Sequence, residues 1–343
     1  MANRGVLMIN VGTPDEPTVE SVRNYLREFL LDPDVIDAPY LIRQLLVRGI
    51  ILRARPKKVA PLYKKIWMAE GSPLRVYSDR IAEAVSELLD GIHIEHAMRY
   101  GNPSINYGLR KLMHSGVEEL LLLPMFPHHA QATTETALKQ AYKELEELSW
   151  HPTIIEMGHF QTDDNYITPL ASSIEPHLDD DTHLLFSYHG LPVSHVKRID
   201  RSKKHCQKVD NCCSISCNAN ELCYGHHCME TSLAVSDKLG LPSDRWSISF
   251  QSRLGPVKWL TPSTSDKVRQ LVGRGVTNLA IVAPAFLADG LETLEELDIG
   301  IREEFEEHGG EKLTVIKCLN DNPDWIAGLT EMVEGKFAPS VIA

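Results

Sequence analysis

Several things are missing from this 343-residue chain, and each absence narrows what it is. No apolar run approaches the roughly 20 residues that a bilayer-spanning helix needs. Basic residues are outnumbered: 35 Lys and Arg face 47 Asp and Glu, a net charge of −12. That balance disfavours a general nucleic-acid binder. Cysteine is nearly absent outside one stretch; six of the seven lie between Cys206 and Cys228, and only Cys318 stands apart. A disulfide scaffold would spread them through a small secreted chain. One dense cluster points instead to a metal or iron–sulfur site. The N-terminus, Met-Ala-Asn-Arg-Gly and a short apolar run broken by Asn10, is too polar for a secretory signal and reads as a first strand. The expected compartment is the cytosol.

What is present resembles an ordinary globular protein: 43% hydrophobic and 24% charged residues, with length for about two domains. Eight apolar runs read as buried strands: Gly5–Gly12, His93–Gly101, Glu118–Phe126, Thr153–Phe160, Thr182–Gly190, Arg245–Ser252, Asn278–Phe286 and Lys312–Leu319. Helical periodicity fills the gaps, as in Thr18–Leu31, Pro73–Leu89, Ala132–Leu148 and Leu291–Glu307. Such alternation predicts an α/β fold of two similar Rossmann-like domains, each a four-stranded parallel sheet flanked by helices. The boundary is expected near Gln161, giving domains 1–160 and 161–343, with the C-terminal helix packing back on the first. A faint echo links the halves: Pro124-Met-Phe126 precedes Glu135-Thr136, and Pro284-Ala-Phe286 precedes Glu292-Thr293. Duplication and chance both account for it. Ligands of open α/β sheets bind beyond the carboxyl ends of the strands, so the default site is a cleft between the domains.

The strand exits carry the candidate chemistry. His189, in Phe186-Ser-Tyr-His-Gly-Leu-Pro192, can take a proton or bind a metal near neutral pH, or simply cap a strand end. Glu292 and Glu296 are spaced i, i+4 on one helical face, which Glu303 continues. Such a row can relay protons or attract a cation; it is also an ordinary acidic first turn. Arg99, at the end of the second strand, can clamp a carboxylate bidentately or form a structural ion pair. Trp259, after Phe250-Gln-Ser-Arg-Leu-Gly-Pro256, can stack on a flat ligand or pack in the core. Ala38–Ala69 has no acid but carries Arg43, Arg48, Arg53, Arg55, Lys57, Lys58, Lys64 and Lys65 among apolar residues. That stretch suits anionic lipid or a greasy anionic ligand; an ordinary charged helix face is the alternative. Among the clustered cysteines, four thiolates can hold a [2Fe–2S] cluster or a tetrahedral zinc, and spacing does not resolve Cys212 from Cys213.

Taken together, these residues resemble the ferrochelatases, which insert ferrous iron into protoporphyrin IX in the terminal step of haem synthesis. The matching pieces are Asn10-Val-Gly-Thr-Pro14, Glu70-Gly-Ser-Pro73, Phe186–Pro192, Phe250–Pro256 with Trp259, and Asp289–Glu296, in the family's order. The resemblance implies a lyase with His189 and Glu292 as catalytic residues that also meet the substrate iron, and Glu296 extending a carboxylate path. It implies porphyrin contacts from Arg99, Tyr63, Arg55, Trp259, Val11 and Leu30, and a basic lip touching the inner membrane surface from the cytoplasmic side. Protoporphyrin and ferrous iron are the implied partners, nucleic acid is not, and the chain is either monomer or homodimer. The cysteine segment, about 205–228, resembles an insertion that carries a [2Fe–2S] cluster in some bacterial members. Cys206, Cys213, Cys217 and Cys223 are the expected ligands, with Cys212 as substitute and Cys228 excluded first. Two departures stand out: Gly290 replaces a frequent His or Cys, and His128-His129 replace a Gln-Tyr. Coproporphyrin, another divalent metal, or a non-catalytic iron–sulfur sensor on the same fold are the alternatives.

Overall fold

β-Branched and leucine side chains run almost unbroken through eight segments, the pattern of strands buried on both faces, and all eight form parallel strands. The computed structural model describes residues 3–253 and 255–338; Leu254 of the Phe250–Pro256 motif lies outside the described residues. The chain divides into two units. The first holds residues 3–126, 131–158 and 321–338. Its strands β1 (Arg4–Thr13), β2 (Ile92–Gly101), β3 (Glu119–Pro124) and β4 (Thr153–Glu156) stand in the order β2-β1-β3-β4. The second holds residues 127–130 and the described part of 159–320. There β5 (His183–His189), β6 (Trp246–Gln251), β7 (Asn278–Val282) and β8 (Lys312–Val315) repeat the permutation as β6-β5-β7-β8.

β4, β7 and β8 each stop four residues short of the ends that hydrophobicity suggests. After β7, Pro284 has no amide hydrogen to extend the ladder. After β4 and β8, Gly158 and Asn320 adopt φ of 80° and 49° and turn the chain away. The apolar residues beyond these points, such as Phe160, are buried in loops rather than paired in the sheet.

Helix starts follow local chemistry. Thr18 caps Val19–Leu31 by accepting from Ser21 N, and Pro73 opens Pro73–Leu88 where a missing amide hydrogen costs nothing. The other two expected helices begin differently. Gln131–Glu135 and Glu292–Ile301 are π-helical before Thr136–Leu148 and Arg302–Glu307 continue as α-helix. Both openings follow the third strand of their sheet, but Glu135 closes its π-helical stretch whereas Glu292 opens its own. Each unit has its own core: Leu7, Ile9, Leu120, Leu122 and Leu109 in one, Leu185, Leu279, Ile281, Leu297 and Phe305 in the other. The last helix, Pro323–Phe337, belongs to the first unit and packs on Pro73–Leu88. Among the described residues no helix is long and apolar enough to cross a membrane.

Candidate active site

β5 ends at His189, and the ladder continues one step as Gly190 N donates to Gln251 O at 2.7 Å. Gly190 is required there: a Cβ would stand 2.8 Å from Gln251 O and 3.3 Å from the Trp259 ring. His189 is half-buried, with its ring 6.2 Å from that of Phe286. Its Nδ1–H donates to Gly190 O at 2.7 Å, which leaves Nε2 as the basic nitrogen. Trp259 lies against this turn, bridged to Pro192.

Glu292 opens the π-helical stretch. Its backbone oxygen accepts from Gln251 Nε2 at 2.8 Å, while Gln251 Oε1 accepts from Ser187 Oγ at 2.6 Å. A Cβ on Gly290 would come 3.3 Å from Glu292 Oε2, so the glycine leaves room for that carboxylate. Glu296 is held differently: Ser252 N and Oγ donate to its two oxygens at 2.8 and 2.6 Å. Ser252 adopts φ of 65° to do so. The stretch is anchored from below by Asp289, which is 2% exposed. Asp289 accepts from Thr293 Oγ1 and Asn320 Nδ2 at 2.8 and 2.7 Å. Sequence reasoning gave Gln251, Ser252, Asp289 and Asn320 no role. The first three sit inside the quoted motifs; for Asn320 the only signal is an Asn at a strand exit, a residue type that tolerates positive φ.

In the first unit, Arg99 Nε donates to Thr136 O and Oγ1 at 3.0 and 2.9 Å, and its Nη2 to Asp32 Oδ2 at 2.5 Å. Tyr100 Oη and Thr136 Oγ1 donate to the same oxygen. The guanidinium is thus committed to Asp32, the structural ion pair that strand-end position also allowed. Leu30 and Tyr63 are buried in this unit, Val11 is half-buried at the end of β1, and Arg55 is exposed. The acid-free stretch forms Tyr40–Gln44, a π-helical Leu45–Ile51 and Leu52–Ile66. Leu41 and Leu45 are 77% and 72% exposed, while Arg43 turns inward to Ala38 O at 2.8 Å.

The cysteine segment has no helix or strand between Ile199 and Tyr224. Asp200 organises its start by accepting from the backbone N–H groups of Lys203, His205 and Cys206. Cys206, Cys212, Cys213 and Cys223 lie close enough to act on one another's ionisation. Burial pushes the Cys206 thiol up to about 11 and raises those of Cys213 and Cys223. The Cys217 sulfur lies 3.7 Å from His205 Nδ1 and 3.5 Å from Asn220 Oδ1. Among the described residues, no group of three or more His, Cys, Asp or Glu side chains is arranged to hold a metal ion. His128 and His129 do different work from ligands. Thr231 Oγ1 donates to Gln161 O, so His128 Nε2–H donates to Thr231. His227 Nδ1 accepts from His129 N at 3.1 Å while its Nε2–H donates to Glu221 O at 2.7 Å, an arrangement open only to the neutral ring.

Two parallel four-stranded sheets wound in the same order place this protein in the chelatase class of α/β folds. The structures of SirB from Bacillus subtilis, with Fe3+ and with cobalt, match it with TM-scores of 0.53 and 0.54 at 11% and 10% identity. They cover 98% and 99% of this chain and 96% and 97% of theirs, a likeness of fold alone. Within that class the chain belongs to the ferrochelatase family, whose profile matches residues 3–337. Ferrochelatase of Pseudomonas fluorescens (strain Pf0-1) is 39% identical over 336 residues, covering 97% of this chain and 98% of that one. That of Coxiella burnetii (strain CbuG_Q212) is 42% identical over 338 residues, covering 96% and 93%. That of Bdellovibrio bacteriovorus is 38% identical over 337 residues, covering 97% and 99%.

Burial holds the His227 pKa down at about 4, helped by His159, His129 and His226 nearby. Because the folded value lies below the unfolded one of about 6.5, the stabilising contribution is complete above that pH and is lost as pH falls toward 4. Acidification from pH 7 to 5 should cost about 2 kcal/mol through this residue. Urea unfolding at the two pH values should show His227→Gln losing less stability than the parent; equal losses would refute the assignment.

Proposed function

We infer that this protein inserts ferrous iron into protoporphyrin IX, giving protohaem and two protons, as the last step of haem synthesis. The observation that carries the assignment of residues is the junction at Gln251. Its main-chain oxygen holds Gly190 N beside His189, and its side chain holds the backbone of Glu292. One buried residue therefore holds the main chain beside His189 and at Glu292. Iron entry must displace the two pyrrole protons. His189 Nε2 accepts a proton because Nδ1–H is already engaged. Glu292 supplies negative charge that draws Fe2+ toward the site and takes protons onward. Glu296, whose two oxygens each accept one hydrogen bond from Ser252, keeps a second lone pair on each oxygen on which a passing proton can sit. In reaction class this is a lyase.

The preference for protoporphyrin over coproporphyrin and for Fe2+ over Co2+ or Zn2+ is part of the same proposal. An anaerobic insertion assay with both porphyrins and all three metals tests it. His189→Ala should lower kcat by about 10²–10⁴-fold and Glu292→Gln by less. Haem formation unchanged in His189→Ala would remove the assignment. A folded protein that forms no metalloporphyrin would favour the sensor alternative.

The cysteine segment is read as the holder of a [2Fe–2S] cluster, with Fe–S ligation by four thiolates. The donor type suits it, although no three of these side chains stand arranged around a metal position among the described residues: burial raises the Cys206, Cys213 and Cys223 thiols, and the Cys212 and Cys213 sulfurs lie 4.0 Å apart. When bound, such a cluster supplies one-electron chemistry and a covalent staple for the segment. Cys212, the substitute in the ligand set that the resemblance implies, is the neighbour that the Cys206, Cys213 and Cys223 thiols share, and it is taken here in the place of Cys217. Visible absorption of anaerobically purified protein should vanish in Cys212→Ser and persist in Cys217→Ser; the reverse would restore Cys217.

The exposed Leu41, Ile42, Leu45 and Ile50 beside Arg48, Arg53 and Arg55 are read as a peripheral contact with the inner membrane surface from the cytoplasmic side. Flotation with anionic liposomes should weaken when Arg53, Arg55, Lys57 and Lys58 are all changed to Gln. Undiminished flotation would count against the contact.

A further inference from the structure

We propose that Tyr224 is a positioning residue for metal insertion: its hydroxyl fixes the main chain of His189 and transmits the fold of the cysteine segment to the histidine ring. The proposal rests on the reading of His189 as proton acceptor.

The peptide joining His189 to Gly190 is gripped from two sides. Its N–H, on Gly190, donates to Gln251 O at 2.7 Å, and its carbonyl, on His189, accepts from Tyr224 Oη at 2.9 Å. The next carbonyl, Gly190 O, accepts from His189 Nδ1–H. The ring direction therefore follows a peptide plane that has two outside anchors. Gln251 belongs to the sheet and is in place whenever the sheet is. Tyr224 belongs to the other system. It is the first residue of the helix Tyr224–Lys238, directly after Cys223, which occupies the cap position. Cys213 Sγ lies 3.0 Å from where a Cβ on Gly225 would stand, so the segment packs straight onto this turn. Tyr224 is buried, with its ring 6.0 Å from that of His128, so the phenol is held in place by packing. Loosening the segment loosens the phenol, then the 189–190 peptide, then the ring. Alignment of a proton acceptor affects the chemical step more than substrate binding.

The test uses the full chain purified anaerobically. Tyr224→Phe removes only the hydroxyl. We expect kcat for Fe2+ insertion to fall about tenfold with the porphyrin KM changed less than about twofold. In ¹⁵N-histidine-labelled protein, the His189 Nδ1–H signal should lose its hydrogen-bonded character, a readout independent of turnover. Gly225→Ala, which presses Cys213 Sγ while keeping Tyr224, should lower kcat in the same KM-silent way, and it carries the test if Tyr224→Phe does not fold. Parental kcat and an unmoved His189 signal, with His189→Ala inactive, would overturn the positioning role. An active His189→Ala would overturn the histidine reading itself, and the proposal with it.

Discussion

Gln251 is buried at the last position of β6, and three of its polar groups bind across strand ends. Its carbonyl takes Gly190 N–H, its Oε1 takes Ser187 Oγ–H, and its Nε2 donates to Glu292 O. Each such group would cost about 1–3 kcal/mol if left unpaired away from water. The network below it is equally closed: Ser187 also meets Thr264, which meets Ser249. A satisfied buried network has one good geometry and few poor ones. That is why the histidine turn and the opening of the π-helical stretch keep their places although both are loop-like backbone.

The first unit solves the matching problem with a different side chain. There Arg99, on β2, reaches Thr136 O, just as Gln251, on β6, reaches Glu292 O. Thr136 and Glu292 belong to the two Glu-Thr pairs that follow the third strand of each sheet. The tie falls on different positions, the first α-helical residue Thr136 in one unit and the first π-helical residue Glu292 in the other. The two ties also differ in charge. Arg99 brings a charge that must be balanced, and Asp32, Tyr100 and Thr136 gather around it. Gln251 brings none and needs no counter-charge.

The acidic chain keeps its positive charge where few acids compete. Between Ala38 and Ala69 the bases face outward with apolar neighbours, except Arg43, which satisfies loop carbonyls. The cysteine segment relies on a different economy of polar groups. It lacks regular elements, so side chains and carbonyls do the holding: Asp200 at its start, Asn220 near its end, and the rings of His129 and His227, which donate to Leu222 O and Glu221 O.

Local patterns made much of this legible. Continuous apolar runs marked all eight strands, because strands covered on both faces admit few polar residues. Capping residues and prolines marked the helix starts, because those backbone groups need local partners. The His189 turn and the Glu292 stretch were legible as motifs at strand exits. Four kinds of fact were decided only in three dimensions. Strand ends were set by backbone turns at Gly158, Pro284 and Asn320 rather than by hydrophobicity. Arg99 found Asp32, 67 residues away in sequence. Cys217 met His205 and Asn220, which spacing cannot express in a segment without a regular period. Gln251 and Tyr224 gained their places from hydrogen bonds between distant segments. The sequence by itself determined which residues are buried and where elements begin, since these depend on periodicity and neighbours. Tertiary structure alone decided which polar groups meet, since each must find whichever partner the folded backbone brings within 3 Å or so.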